Sequence, residues 1–192
     1  MRYPTEHKAE IHQKIVKDAS RRVRAEGLNG AAVAAVMQDN GLTHGGFYKH
    51  FESKNDLLLE SLREAFREII GNLVRAAEHA APPETAWKAI VKTYLSLEYC
   101  DDAEHGCPLT ALAPELARID KRMSGQVVAE LVNYMDRMLP FMPGRRTADK
   151  ERAFFSIFST MIGAIEIARI LPDPAVREKV LASTRDFLLH SF

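Results

Sequence analysis

The chain has 192 residues, 46% of them hydrophobic, with 26 basic and 26 acidic side chains. That is enough apolar material for one or two packed domains, and the zero net charge excludes a protein that binds nucleic acid or membranes by bulk positive charge alone. Two cysteines, Cys100 and Cys107, exclude a disulfide framework and fit a reducing cytosol. The first twenty residues are charged throughout and show no apolar signal segment. The longest apolar stretch, MIGAIEIARIL, is interrupted by Glu166 and Arg169 and reads as too short to span a bilayer. The expectation is a soluble, cytoplasmic protein with no membrane partner.

Helical spacing dominates, and no alternation reads convincingly as strands. Residues 5–26 place Ile11, Ile15, Val16, Ala19 and Val23 on one face, with Thr5 as a candidate N-cap and Gly27 as the stop. A short helix over 31–38 turns Val33, Val36 and Met37 inward, and Asn40 or Gly41 can take the left-handed conformation that ends it. A second short helix spans 43–50. Ser53 and Asp56 have capping-box spacing and open a long helix over 54–80, with Leu58, Leu62, Ala65, Phe66, Ile69 and Leu73 on one stripe. APPE at 81–84 starts a helix over 84–100. A loop, DDAEHGCP, precedes a proline-interrupted helix over 109–119. Residues 121–139 carry Val127, Val128, Leu131, Val132, Met135 and Met138. Helices over 148–171 and 174–190 complete a count of nine. No repeat or low-complexity segment is visible.

The string GLTHGGFYKHF, residues 41–51, carries the most information. A long helix followed by two short ones across a tight, glycine-containing turn is the helix-turn-helix arrangement, whose second short helix enters the major groove. At about 100° per residue, Phe47 and Phe51 share the inner face, while Gly45 and Lys49 point outward and His44, Gly46, Tyr48 and His50 flank them. Thr43 is a natural N-cap, and a helix N-terminus favours phosphate. Adjacent glycines are poor helix formers, so their presence fits a backbone that DNA must approach closely. The same pattern also suits any short amphipathic helix with a polar outer face, and Gly-Gly can equally be a loop. Residues 1–56 hold nine lysines and arginines against seven acids, a mild basic excess.

GLTHGGFYKHFESKNDLLLESL closely resembles the signature of the TetR family of bacterial transcriptional regulators. The matching residues are Gly41-Leu42-Thr43, Phe47-Tyr48-Lys49-His50-Phe51 and Lys54. EGLNGAAVAAVM is similar to the family's preceding helix, GCPLTALAPELARID to a segment of one branch, and MIGAIEIARILPDP to its dimerisation helix. The resemblance implies an all-α protein with a three-helix DNA-binding domain, residues 1–53, on a larger ligand-binding and dimerisation domain, residues 54–192. It implies a homodimer whose partners are a double-stranded DNA operator and a small-molecule effector of unknown identity. By that likeness Thr43, His44, Gly45, Gly46, Tyr48, Lys49, His50 and Lys54 face DNA. Tyr48 and Lys54 are then assigned to phosphates, His44 and Lys49 to base edges. One departure is the start of the second helix, where only Asn29 offers a polar contact.

Beyond that segment, Trp87, Tyr94, Cys107, Met135 and Met161 are candidate pocket residues, because aromatic and methionine side chains suit adaptable pockets. The same residues serve equally as ordinary core. Cys107, at a helix start, is a candidate redox or electrophile sensor or simply a small half-buried residue. Cys100, His105 and Cys107 do not have zinc spacing, so no metal or cofactor is expected. Glu166 and Arg169 read as a pair, with each other or across an interface. The 148–171 helix is apolar on most sides, so Phe158, Ile162, Gly163, Ile165, Glu166 and Ile170, with Leu181 and Phe187 from the last helix, are expected at a dimer interface. No enzyme motif is present. The expected function is a ligand-released repressor. A helical carrier or enzyme with structural N-terminal helices is the alternative.

Overall fold

The computed structural model describes residues 3–192, with side chains from Glu6 onward. The elements are α1 (Tyr3–Glu26), α2 (Val33–Asp39), α3 (Lys54–Glu78), α4 (Ala86–Tyr94), α5 (Leu97–Asp101), α6 (Pro108–Leu116), α7 (Lys121–Met138), α8 (Thr147–Ile170) and α9 (Pro174–Ser191). Four short 3-10 turns join them, and no strand occurs among the described residues. The all-α expectation therefore stands. The count of nine coincides for a different reason: the segment expected over 43–50 is a 3-10 turn, and the helix expected over 84–100 is two helices. Ser96 makes that break by capping α5, its hydroxyl accepting from the Tyr99 N–H. α1 begins at Tyr3, so Thr5 lies inside the helix and not at its cap.

Three apolar clusters organise these helices. Ile15, Val16 and Ala19 of α1 pack with Val36, Met37, Phe47 and Phe51, and Leu57 of α3 joins them. A second cluster links Val23, Ala31, Leu58 and Leu62 to Leu112 and Leu116 of α6 and to Met123 and Val127 of α7. The third and largest runs from Phe66 in α3 through α4, α7, α8 and α9. α3 therefore belongs to all three clusters and is the spine of the molecule. Its start is fixed as expected: the Ser53 hydroxyl accepts from the Asp56 N–H and donates to the Asp56 carboxylate at 2.8 Å.

α8 corrects one expectation. At 24 residues it is long and apolar enough to cross a membrane by length and composition. Its inner face, including Phe154, Ile157, Phe158, Met161 and Ile165, is instead buried against the other helices of the large cluster. α7 corrects another: Val128 and Val132 are about half exposed, because only the stripe of Met123, Val127, Tyr134 and Met138 turns fully inward.

Candidate nucleic-acid interface

Gly41 ends the connection from α2 at φ +68°, a left-handed conformation that favours glycine, with its N–H donating to Gln38. The Leu42 N–H returns to the Met37 carbonyl, which closes the turn. Thr43 follows in an extended conformation at the N-cap position, but its hydroxyl makes no capping bond. His44–Lys49 then form six residues of 3-10 helix, anchored by Phe47, whose ring stacks on Phe51 at 5.3 Å. A 3-10 turn of this length has little macrodipole, so the expected helix-end attraction for phosphate is not a feature of this element.

His50 follows the turn as its C-terminal cap, its N–H donating to the Phe47 carbonyl. His50 is half-buried, its Nδ1 has no partner, and His12 of α1 lies 6.0 Å away, ring to ring. Burial, then the neighbouring His12, Lys8 and Lys49, holds its pKa below the ordinary 6.5. His50 is therefore a half-buried residue, neutral near neutral pH, and less open than most of the set expected to face DNA. Thr43, His44, Gly45, Tyr48, Lys49 and Lys54 are exposed, and Gly46 is half-exposed. Tyr48 is 69% exposed, a large aromatic ring left in water.

Gly45 decides how this surface is read. A Cβ built there meets no atom within 4 Å, and one on Gly46 meets only ordinary contacts with Met37 and Thr43. Nothing inside the protein therefore requires glycine at Gly45. Asn29 is exposed but lies in the 3-10 turn before α2, whose first residue is Val33.

The N-terminal helices are tied to the rest of the molecule by contacts that leave no trace in the sequence pattern. Arg24 of α1 has a fully buried side chain. It donates to Ser20 O at 3.2 Å, to Gly106 O at 3.3 Å and to the Glu68 carboxylate at 2.6 Å. Glu115 of α6 accepts from the Leu28 N–H at 3.0 Å. Buried arginine partners 44 and 82 residues apart in sequence leave no periodic signal.

The expected pocket residues are all inside or against the large core. Tyr94 and Cys107 come together there. Trp87 lies elsewhere, edge-on to Phe192 at 6.2 Å, with Lys88 over its ring. Met161 is fully buried and Met135 partly so. A cleft between α1 and α3 is lined instead by charged residues, among them Lys17, Arg21, Glu64, Arg67, Glu68 and Arg75. Cys107 is fully buried and burial pushes its thiol pKa up, so the helix-start activation expected for it gives way to desolvation. No group of metal-binding side chains is found among the described residues.

Three expected interface residues need correction. Phe158, Ile165 and Leu181 are closed over by their own chain, at 3%, 0% and 0% exposure. The outer apolar face consists of Phe155, Ile167 and Ile170 on α8 with Val176 and Phe187 on α9. Ile162, Gly163 and Glu166 are half-exposed beside it. Periodicity could not tell the two sides apart, because α8 is apolar around most of its circumference. Arg169 does not form the expected pair with Glu166 but donates to Cys100 O at 2.9 Å and to Thr110 Oγ1 at 3.3 Å.

No protein-family model matches the sequence, and no curated protein is similar enough in sequence to match. Solved structures do match over nearly the whole chain. A TetR-family transcriptional regulator from Cytophaga hutchinsonii is 18% identical, with 96% of each chain covered and a TM-score of 0.76. A TetR transcriptional regulator from Chloroflexus aurantiacus is 22% identical, again with 96% of each chain covered, at 0.74. The transcriptional regulator FadR from Bacillus subtilis, in complex with stearoyl-CoA, is 14% identical over 94% of this chain and 98% of its own, at 0.68. The chain has the TetR-family fold.

Proposed function

We propose that this protein is a cytoplasmic, homodimeric transcriptional regulator that reads DNA through residues 43–54 and is released from its operator by a small molecule. The observation that carries the reading is Gly45, which is exposed, faces open space and has no use within the chain. It lies in a surface of small, hydroxylated and basic residues that suits a major groove. Thr43, His44, Gly45, Gly46, Tyr48, Lys49 and Lys54 form the DNA-facing set, with His44 and Lys49 assigned to base edges and Tyr48 and Lys54 to phosphates. The resemblance of fold to regulators, one of them bound to stearoyl-CoA, supports both DNA and ligand as partners.

The dimer follows from the outer face of α8 and α9. Phe155, Ile170 and Phe187 expose apolar surface along two adjacent helices, and a monomer would leave that face wet. A Cβ on Gly163 meets nothing within its own chain, so a second helix can approach closely there. Two helices from each subunit then form a four-helix bundle about a two-fold axis.

Release works as a population shift. The larger domain holds the DNA-binding helices through Arg24–Gly106 and Leu28–Glu115. An effector that prefers a different position of α6 moves those anchors, and with them the spacing of the two recognition elements. Selection from a random duplex pool tests the reading. The expected winner is a two-fold symmetric site with half-sites about 34–36 Å apart, bound with an affinity that falls steeply with salt. Enrichment of no sequence, or of sites with no such symmetry, would reject it.

A further inference from the structure

Resting on the regulator reading, we propose that the effector is a small carboxylate with an apolar body, received where the hydroxyls of Tyr94, Tyr99 and Tyr134 gather around Cys107. Tyr94 and Tyr134 are 0% and 1% exposed. All three hydroxyl oxygens are buried, and none makes a hydrogen bond. The Tyr94 and Tyr134 hydroxyls lie beside the Cys107 thiol and the Tyr99 hydroxyl beside the Cys107 backbone, near enough to affect titration, but at none of them is the geometry that of a formed hydrogen bond. The rings are held by one another: Tyr94 lies 4.8 Å from Tyr99, and both Tyr94 and Tyr134 stand edge-on to Phe158.

A buried hydroxyl without a partner is destabilising, and phenylalanine would fill the same space without that penalty. Three together call for a ligand that accepts hydrogen bonds. Burial keeps these phenols protonated, so they are donors. Arg169 adds a charge. It donates to two neutral oxygens, its Nη2 is buried without a partner, and it forms no ion pair among the described residues. Its guanidinium is close enough to Tyr99 and Cys107 to favour their anionic forms, and so to favour an anion between them. Three neutral donors and one uncompensated cation fit a carboxylate. The surrounding Phe154, Phe158 and Met161 fit an apolar body.

The site also touches the coupling contacts. Cys107 is the N-cap of α6, and its neighbour Gly106 is the residue whose carbonyl Arg24 holds. A ligand that separates Cys107 from the tyrosines must shift the start of α6, and this loads Arg24–Gly106 first.

The test uses the full-length chain without DNA. Octanoate and phenylacetate are compared with octanamide and phenylacetamide by calorimetry and thermal melting. The expected result is that the acids bind and raise Tm, with the amides at least about tenfold weaker. Tyr94→Phe and Tyr134→Phe should each weaken acid binding by about tenfold. They should also leave the Tm of the free protein unchanged or higher, because each removes an unpartnered hydroxyl. Arg169→Gln should remove the preference for acid over amide. The proposal is overturned if no acid binds, if amides bind equally well, or if Tyr134→Phe lowers the Tm of the free protein. That last outcome would mean an ordered water already partners the hydroxyl. Release of a selected DNA duplex is measured separately by anisotropy. Acid binding without DNA release upholds the site and sinks the regulatory mechanism. DNA binding with no acid bound sinks the site alone.

Discussion

At the scale of single residues, the two most informative positions are one that is crowded and one that is empty. His50 is pressed against His12 and has an unpartnered ring nitrogen, and burial lowers its pKa. The folded state then holds fewer protons than the unfolded one below the ordinary value of 6.5. Its contribution to stability is complete above that value and is lost as pH falls through it towards the folded pKa. Tm should therefore fall between about pH 7 and about pH 5, and His50→Gln should flatten part of that slope. An identical slope in the variant would show that other groups carry it. Gly45 is the opposite case. Gly45→Leu should shift Tm by no more than about 3 °C, because no atom lies where the new side chain goes. It should weaken operator binding by about tenfold or more, because the side chain holds the backbone away from the groove. Normal DNA affinity in a folded variant would remove Gly45 from the interface.

At the scale of elements, α8 shows how packing divides one apolar helix into two uses. Its 24 residues make it about 36 Å long. One side is core, through Phe154, Phe158, Met161 and Ile165. The other presents Phe155 and Ile170 beside the open position of Gly163. Gly163→Arg should leave the monomer folded, since its own chain supplies no atom within 4 Å of the new Cβ. It should convert a dimer to monomer in sedimentation and lower operator affinity in the same sample, because two half-sites must be read together. A monomeric variant that still binds a full operator tightly would break the link between assembly and recognition. The His44–Lys49 segment is short and 3-10, so its orientation depends on Phe47 and Phe51 in the small core more than on its own hydrogen bonds.

At the scale of the molecule, two contacts join α1 and the turn that follows it to α6 and the loop before it. Arg24 is the stronger, because its guanidinium is fully buried and bridges Gly106 and Glu68. Arg24→Met should destabilise the fold by about 2–3 kcal/mol in urea melts. The estimate is below that for a fully buried pair because the Glu68 side chain is 32% exposed. The variant should still select the same DNA sequence, but effector binding should release it less. Unchanged release would place the coupling in Glu115–Leu28 or in the apolar contacts of α6. Glu115→Gln keeps an acceptor for the Leu28 N–H and is the matching control, expected to respond nearly as the unmutated chain does.

The sequence by itself determined the helical class, the Ser53 cap, a left-handed turn at Asn40 or Gly41 and the pairing of Phe47 with Phe51 on an inner face. Each depends on neighbours within a few residues, where helix geometry and backbone sterics act directly. It also placed Gly45 outward, because a residue two positions before the inward Phe47 falls near the opposite side of a helical turn. Only the tertiary structure decided the partial burial of His50, since that depends on α1 bringing His12 beside it. Which side of α8 is core was likewise undecidable from a helix apolar almost all round. Arg24–Gly106, Arg169–Thr110 and the three unpartnered tyrosine hydroxyls join residues tens of positions apart. No periodicity records such contacts, because they exist only once the helices have packed.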